Sequence, residues 1–273
     1  MDLIASIIEF FNKFIQNNKK NREYFVIKGG VSLTAKFLDH QYPMFTNHEK
    51  LVRACLSTLG NSAISNDNKI LLWVLGTIPN IYKFLHDFIS QKDMNTKPLA
   101  EYALFVLWRA SIDCDDVQEE LMKRKFLDVA LKTIQEHSGN MVMVAFCLAI
   151  IRRLSSNQNH KDEVAKNFLY TLMSFVEIFL DAQSSNQQQD LSPYDKLGIS
   201  FIHKEILGSL GVLAANETHR KEISQNNGSF FVIHSAKLNI NKPKLIKTAL
   251  GCLINLSQNG ENKESLGKDA AFY

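Results

Sequence analysis

The residues able to do chemistry are eight histidines, four cysteines and the acidic run Asp113-Cys-Asp-Asp116. Such side chains ligate metals or relay protons when several of them converge. Their spacing argues against convergence. Cys55, Cys114, Cys147 and Cys252 lie far apart with no Cys-x-x-Cys pair. Neither a zinc site nor a disulfide framework is therefore expected, and a reducing compartment is the default. The run from Asp113 lacks the further ligands and central glycine of a calcium loop. Placed at the start of a short helix, its carboxylates would oppose the positive end of the helix dipole. No HExxH, GxSxG or P-loop pattern occurs, and no nucleophile, base and orienting group appear together. The expectation is no catalytic residue, no metal and no cofactor.

Composition narrows the class further. Hydrophobic residues make up 45% of 273, enough for a sizeable core, while 12 glycines and 5 prolines are few for a many-stranded sheet protein. A net charge of +3 makes no general case for nucleic acid. The opening MDLIASIIEFFNKFIQ carries Asp2 and Glu9 and no basic leader, so it reads as an amphipathic helix and not a signal peptide. Without such a signal, the glycosylation-like triplets at Asn216, Asn227 and Asn255 read as chance. The longest apolar run, Met141 to Ile151, falls well short of the ~20 residues that a membrane span needs. It is expected to be a helix buried on all sides.

The elements that would position these residues recur. ALGCLINLSQNGENKESLG, starting at Ala249, can be laid over CLSTLGNSAISNDNKILL, starting at Cys55, so that Leu250, Leu253, Asn255 and Asn262 fall on Leu56, Leu59, Asn61 and Asn68. Equivalent anchors are Ile15, Ser62, Ala110, Leu154, Leu213 and Leu256, about 43 to 48 residues apart except for one gap of about 59. Periods of roughly 40 to 47 residues mark helical solenoids. The long gap holds DAQSSNQQQDLSP, Asp181 to Pro193, a polar insertion at about 183–195 whose composition favours disorder. Each anchor ends a helix with three- and four-residue apolar spacing and is followed by a polar step. The steps are Asn21-Arg22, Asn68-Lys69, Asp116-Val117, His160-Lys161, His219-Arg220 and Asn262-Lys263. His160 and His219 are thereby turn or cap residues. His203 falls where other repeats carry Val52, Ala100, Val144 and Ile246, so a buried, hydrogen-bonded histidine is expected. Cys55, Cys252, Trp73 and Trp108 read as core, as do Leu250, Leu253 and Leu256.

Within a period a short apolar helix, a glycine turn (Gly29-Gly30, Gly76, Gly228) and a second helix precede a longer third one. Pro79 suits the first turn of its helix, where a missing N–H costs nothing. The third helices are expected at Leu51 to Ala63, Leu99 to Ser111, Met141 to Ser155, Ile199 to Ala214 and Pro243 to Ser257. The motifs Gly76-Thr-Ile-Pro79, Ala249-Leu250 with Asn255-Leu256-Ser257, and Asn262-Lys263-Glu264 resemble those of the armadillo repeat. The resemblance covers nearly the whole chain and is weaker between 115 and 195. It implies an all-α fold, a right-handed α-solenoid of armadillo-like three-helix repeats, as a single domain over 1–273. Full repeats fall near 19–65, 66–112, 113–156, 157–215 and 216–258, with partial ones at 2–16 and 260–270. Phe10, Phe11, Phe14 and Ile15 would pack on the first full repeat.

The same resemblance implies that the third helices line a concave groove in which an extended peptide binds. In family members that read import signals, an Asn on each third helix bonds the peptide and a Trp one turn earlier packs it. Here the Asn positions are Asn61, Arg109, Arg153, Val212 and Asn255, and the Trp positions are Ser57, Phe105, Ala149, Gly208 and Gly251. A missing Trp array disfavours a nuclear-import adaptor. One turn further back lie Arg53, Glu101, Ala145, Lys204 and Lys247, and a four-residue step keeps each set on one helix face. The candidate groove residues are therefore Arg53, Asn61, Glu101, Phe105, Arg109, Arg153, Lys204, Lys247 and Asn255. This mildly basic stripe suits an acidic or phosphorylated protein segment, since Arg pairs bidentately with carboxylate and phosphate. The expected protein is a non-catalytic, cytoplasmic scaffold or adaptor, without specific nucleic acid or a membrane span. The alternative is a structural subunit of a large cytoskeletal or ciliary assembly, or a nuclear location.

Overall fold

The structure, a computed structural model, describes residues 1–91, 97–184 and 193–258, with 260, 263, 264 and 267. Among the described residues the helices are α1 (Asp2–Ile15), α2 (Lys19–Ile27), α3 (Gly30–Lys36), α4 (Pro43–Thr46), α5 (Glu49–Ser62), α6 (Asn66–Val74), α7 (Thr77–Gln91), α8 (Lys97–Ser111), α9 (Asp115–Lys123), α10 (Phe126–Glu136), α11 (Met141–Ser156), α12 (Lys161–Ser184), α13 (Pro193–Leu213), α14 (Glu217–Gln225), α15 (Gly228–Leu238) and α16 (Pro243–Leu256). No strand occurs among the described residues. The fold is an all-α helical solenoid. Residues 185–192 of the polar insertion lie outside the described residues, as do Asn262 and most of the partial repeat at 260–270.

Local chemistry sets the helix ends. Asn18, Ser65, Asn140 and Asn216 are N-caps whose side chains accept backbone N–H groups of the first turn, such as Asn21 and Asn68. The nine-residue helices α2, α6, α9 and α14 each end at a left-handed residue that turns the chain into the next helix. These residues are Gly29 (φ 76°), Gly76 (φ 64°), Lys125 (φ 58°) and Asn227 (φ 60°). The glycine turn expected at Gly228 thus sits one residue earlier, on an asparagine, which tolerates this conformation. Gly228 serves close packing instead, because a Cβ there would lie 2.6 Å from the Ile223 carbonyl oxygen. Between α11 and α13 one 24-residue helix, α12, takes the place of a short pair.

The chain divides into two compact units, 1–136 and 137–273, each described by itself. In the first, α1 packs on α5 and α5 on α8, with α3 and α7 behind them. In the second, α11 packs on α13 and α13 on α16, backed by α12 and α15. Fully buried Leu51, Leu56, Leu59, Ile81 and Leu85 fill the first core; Phe168, Leu172, Ile202, Ile206 and Leu210 fill the second. Each such side chain contributes about 1.5–3 kcal/mol by leaving water.

Three expectations about burial are corrected. Trp73 is 38% exposed, because α6 buries only Lys69 and Leu72 and Trp73 flanks that stripe. Leu250 is 52% exposed and Leu253 half-buried, while Leu256 is buried, because α16 meets another long helix on the α13 side alone. Phe10 and Phe14 are likewise exposed on α1, which packs against α5 and α2. Ile15 is buried, and Phe11 reaches Phe25 with ring centroids 5.7 Å apart. In the long apolar run Met141, Val142 and Phe146 are only half-buried, and the rest of it is buried.

The polar steps have a definite job. A helix C-terminus leaves its last carbonyls without intrahelical donors and carries partial negative charge. Asn21 Nδ2 donates to the Phe14 carbonyl (2.7 Å) and Arg22 Nη1 to that of Ile15 (3.1 Å). Asn68 Nδ2 donates to the Ser62 carbonyl (2.9 Å), and the buried Lys69 ammonium to that of Ile112, just beyond α8. Buried Arg220 donates to the carbonyls of Ala214 (2.9 Å) and Ala215 (3.2 Å) and to Gln258 Oε1 (3.1 Å). After α8 the donor is Gln118 Nε2, on the Ser111 carbonyl at 2.8 Å, and not the aligned Asp116-Val117. Buried cations are tolerated here because main-chain oxygens surround them. Lys69→Met should lower unfolding free energy by about 1–3 kcal/mol, the cost of an orphaned buried acceptor. Exposed Lys83→Met should stay within about 0.5 kcal/mol. Urea midpoints at unchanged m-value measure both.

Candidate functional site

In the second unit, α11, α13 and α16 border an open cleft of about 490 Å³. Its cationic lining is Arg152, Lys204, Lys244 and Lys247; of the glycines along it Gly208 and Gly211 are buried and Gly251 is exposed. Three sequence candidates, Lys204, Lys247 and Asn255, thus come together. Arg152 lines the cleft on α11, whereas its neighbour Arg153 does not. Arg152 occupies the same repeat position as Gly60 and Gly211. The absent side chains at those two positions were the available signal that a close contact forms there.

A buried carboxylate holds two of the cations. Glu205 is 1% exposed; its Oε2 lies 3.1 Å from Arg152 Nη1 and its Oε1 3.3 Å from Lys204 Nζ. The Lys204 ammonium also lies 5.6 Å from the Phe201 ring centre. Gly208, at a position where the resemblance implies tryptophan, makes this pairing possible. A Cβ there would sit 2.3 Å from the Arg152 guanidinium carbon. Lys244 and Lys247 are exposed at the rim. Asn255 Nδ2 donates to the Gly211 carbonyl at 2.8 Å, so it links α16 to α13. Four cations against one buried carboxylate leave the cleft net positive.

The remaining candidates lie in the first unit. Arg53 Nη2 is 4.0 Å from Glu9 of α1, an exposed pair of little stabilising weight. Asn61 Nδ2 donates to Asn12 Oδ1 (2.8 Å), and Asn12 Nδ2 to Ser57 Oγ (2.8 Å), so Asn61 too serves helix pairing. Phe105 covers Gly60, where a Cβ would meet its ring at 2.3 Å, and its centroid is 6.2 Å from that of Trp108. Half-buried Trp108 in turn carries the Arg109 guanidinium, 5.9 Å from the ring centre. Burial, then the nearby Arg22, holds the Arg109 pKa below its ordinary value. Glu101 is half-buried on α8.

The groups that suggested metal or proton chemistry are dispersed. Among the described residues no set of His, Cys, Asp and Glu could hold a metal ion. All four cysteines are buried and none forms a disulfide, and burial pushes the Cys55 and Cys252 thiols up to about 12. Such thiols carry almost no thiolate at neutral pH. Asp115 and Asp116 lie in the first turn of α9, whose N-cap is Cys114 without a side-chain bond. His219 Nε2 is 3.4 Å from Asp162, and His160 is buried in the turn before α12. His203 is buried with Nδ1 3.3 Å from Ser235 Oγ. Among the described residues no helix is long and apolar enough to cross a membrane.

No protein-family model matches the chain, and no curated protein matches it. Solved structures do. An engineered protein from a structural genomics consortium is 15% identical with a TM-score of 0.66, over 92% of this chain and 89% of its own. A second engineered protein from the same source is 12% identical with a TM-score of 0.62, over 97% and 67%. A chain from a structure concerning a phosphorylation switch that controls the interaction between cadherin and beta-catenin is 14% identical with a TM-score of 0.65. The match takes in 93% of this chain and 51% of that one, about half its length. At these identities the likeness is one of fold.

The buried histidine gives a test of the second unit's packing. Burial, then the charge of Lys242, lowers the His203 pKa from 6.5 to about 4. Its neutral form is therefore favoured in the folded state, and below about pH 6.5 only the unfolded chain takes up the proton. Stability contributed by His203 is complete above that pH and is lost as pH falls toward about 4, at up to ~1.4 kcal/mol per pH unit. Wild type minus His203→Gln, followed by urea unfolding across this range, should trace that slope.

Proposed function

We propose that the chain is an armadillo-type repeat protein, non-catalytic and cytoplasmic, that binds a protein partner through its long third helices. The observation that carries this reading is the cleft of α11, α13 and α16, lined by Arg152, Lys204, Lys244 and Lys247. Clustered cations attract a segment rich in carboxylate or phosphate and speed its encounter. The neighbour whose structure concerns a phosphorylation switch between cadherin and beta-catenin supports a protein partner of this kind. Import-signal recognition is disfavoured twice over: the Trp positions are vacated, and both Asn61 and Asn255 are engaged within the fold. The apolar faces of α1 and α16 favour a second reading, membership of a larger assembly.

Fluorescence anisotropy with extended peptide pools tests the first reading: one rich in Glu and phosphoserine, one with Gln and Ser in their place. The acidic pool should bind more tightly, with affinity falling as salt rises. Lys244→Glu with Lys247→Glu, both at exposed positions, should weaken it at least about tenfold, or ~1.4 kcal/mol. Equal binding of the two pools, or of wild type and the double variant, would falsify the cleft as the partner site.

A further inference from the structure

Third helices meet in a constant register. In the aligned repeats Phe10, Ser57, Phe105, Gly208 and Gly251 share one position, and Lys13, Gly60, Trp108, Arg152, Gly211 and Ile254 share another, three residues later. Where α8 packs on α5, Phe105 lies over Gly60. Where α13 packs on α11, Gly208 lies under Arg152. Where α16 packs on α13, a Cβ on Gly211 would meet the Cys252 Cα, next to Gly251, at 3.2 Å. In the first two pairs the first position of the later helix faces the second position of the earlier one, and in the third the residue beside it does.

Among the described residues one of these faces is open on α1 and one on α16. The first position on α1 is Phe10, 63% exposed, in line with exposed Leu3, Ile7 and Phe14 at the three- and four-residue steps of one helix face. The second position on α16 is Ile254, 64% exposed beside Leu250. An apolar cleft of about 630 Å³ adjoins it, lined by Ile240, Pro243, Ile246, Leu250 and Ile254. Contiguous exposed apolar surface of this kind marks an interaction site. In both units third helices pack on one another, and donors from the short first helices reach their ends. The α16 face therefore calls for a helix of the third type with an open leading face, and α1 has that face.

We propose that α1 of a second copy of this chain docks on α16, with Phe10 against Ile254 and Leu3 and Ile7 flanking Leu250. The contact is heterologous, so copies add head to tail into an open chain or a ring. Light scattering coupled to size exclusion, with rising protein concentration, tests it. Wild type should climb past the mass of two chains. Phe10→Asp and Ile254→Asp should each stay at the mass of one, because every copy then lacks one half of the junction. Their mixture should form a complex of two and stop, since a single intact junction remains. Ile7→Glu with Leu250→Glu is the substitute pair, at exposed sites, should either aspartate variant lose its helical circular dichroism. Wild type that stays at one mass, a single variant that assembles like wild type, or a mixture that does not pair would each overturn the proposal.

Discussion

The stack rests on how its helix ends are closed. The last carbonyls of a third helix have no donor within that helix. The chain solves this with a donor sent from an adjacent short helix: Asn21 and Arg22, Asn68 and Lys69, Gln118, Arg220. Lys69, Gln118 and Arg220 are buried although polar, the other three are half-buried, and these bonds tie α1, α5, α8 and α13 to neighbouring short helices. Remove the donors and buried main-chain oxygens remain, at a cost comparable to that of a large core truncation. The regular spacing of the long helices follows from this closure as much as from the apolar stripes.

Once ends are fixed, the flanks settle the rest. Long helices approach closely where one partner has no side chain, and the other fills the space: a phenylalanine over Gly60, an arginine over Gly208. The second exchange changes the character of the surface. An aromatic peptide-packing position becomes a slot for a guanidinium, which Glu205 holds from beneath. The asparagines that the armadillo resemblance would offer to a ligand turn inward, to Asn12 and to the Gly211 carbonyl. What stays exposed along this cleft is charge at the rim, on Lys244 and Lys247.

Much of the fold was legible in the residues. Leucine spacing, the anchors and the glycine turns announced helices in a repeating array, because a helix must bury one face and that face has a 3.6-residue period. Other features were not. Lys125 takes the left-handed turn with no glycine to mark it, since a tight connection can impose that conformation on any residue at modest cost. The single helix α12 carries no break signal, so its continuity was readable only as a weaker resemblance.

The candidate site divides along the same line. The sequence by itself determined the helical class, the approximate period, the caps, and the excess of basic residues on the long helices. These depend on near neighbours along the chain. Only the tertiary structure decided that Arg152 and not Arg153 enters the cleft, that Glu205 is buried beneath two cations, and that Trp73, Leu250 and Phe10 face outward. Adjacent residues on a helix are 100° apart, so a shift of one position redirects a side chain entirely. Whether an apolar face is covered depends on which helix lies opposite it, and no local pattern carries that information.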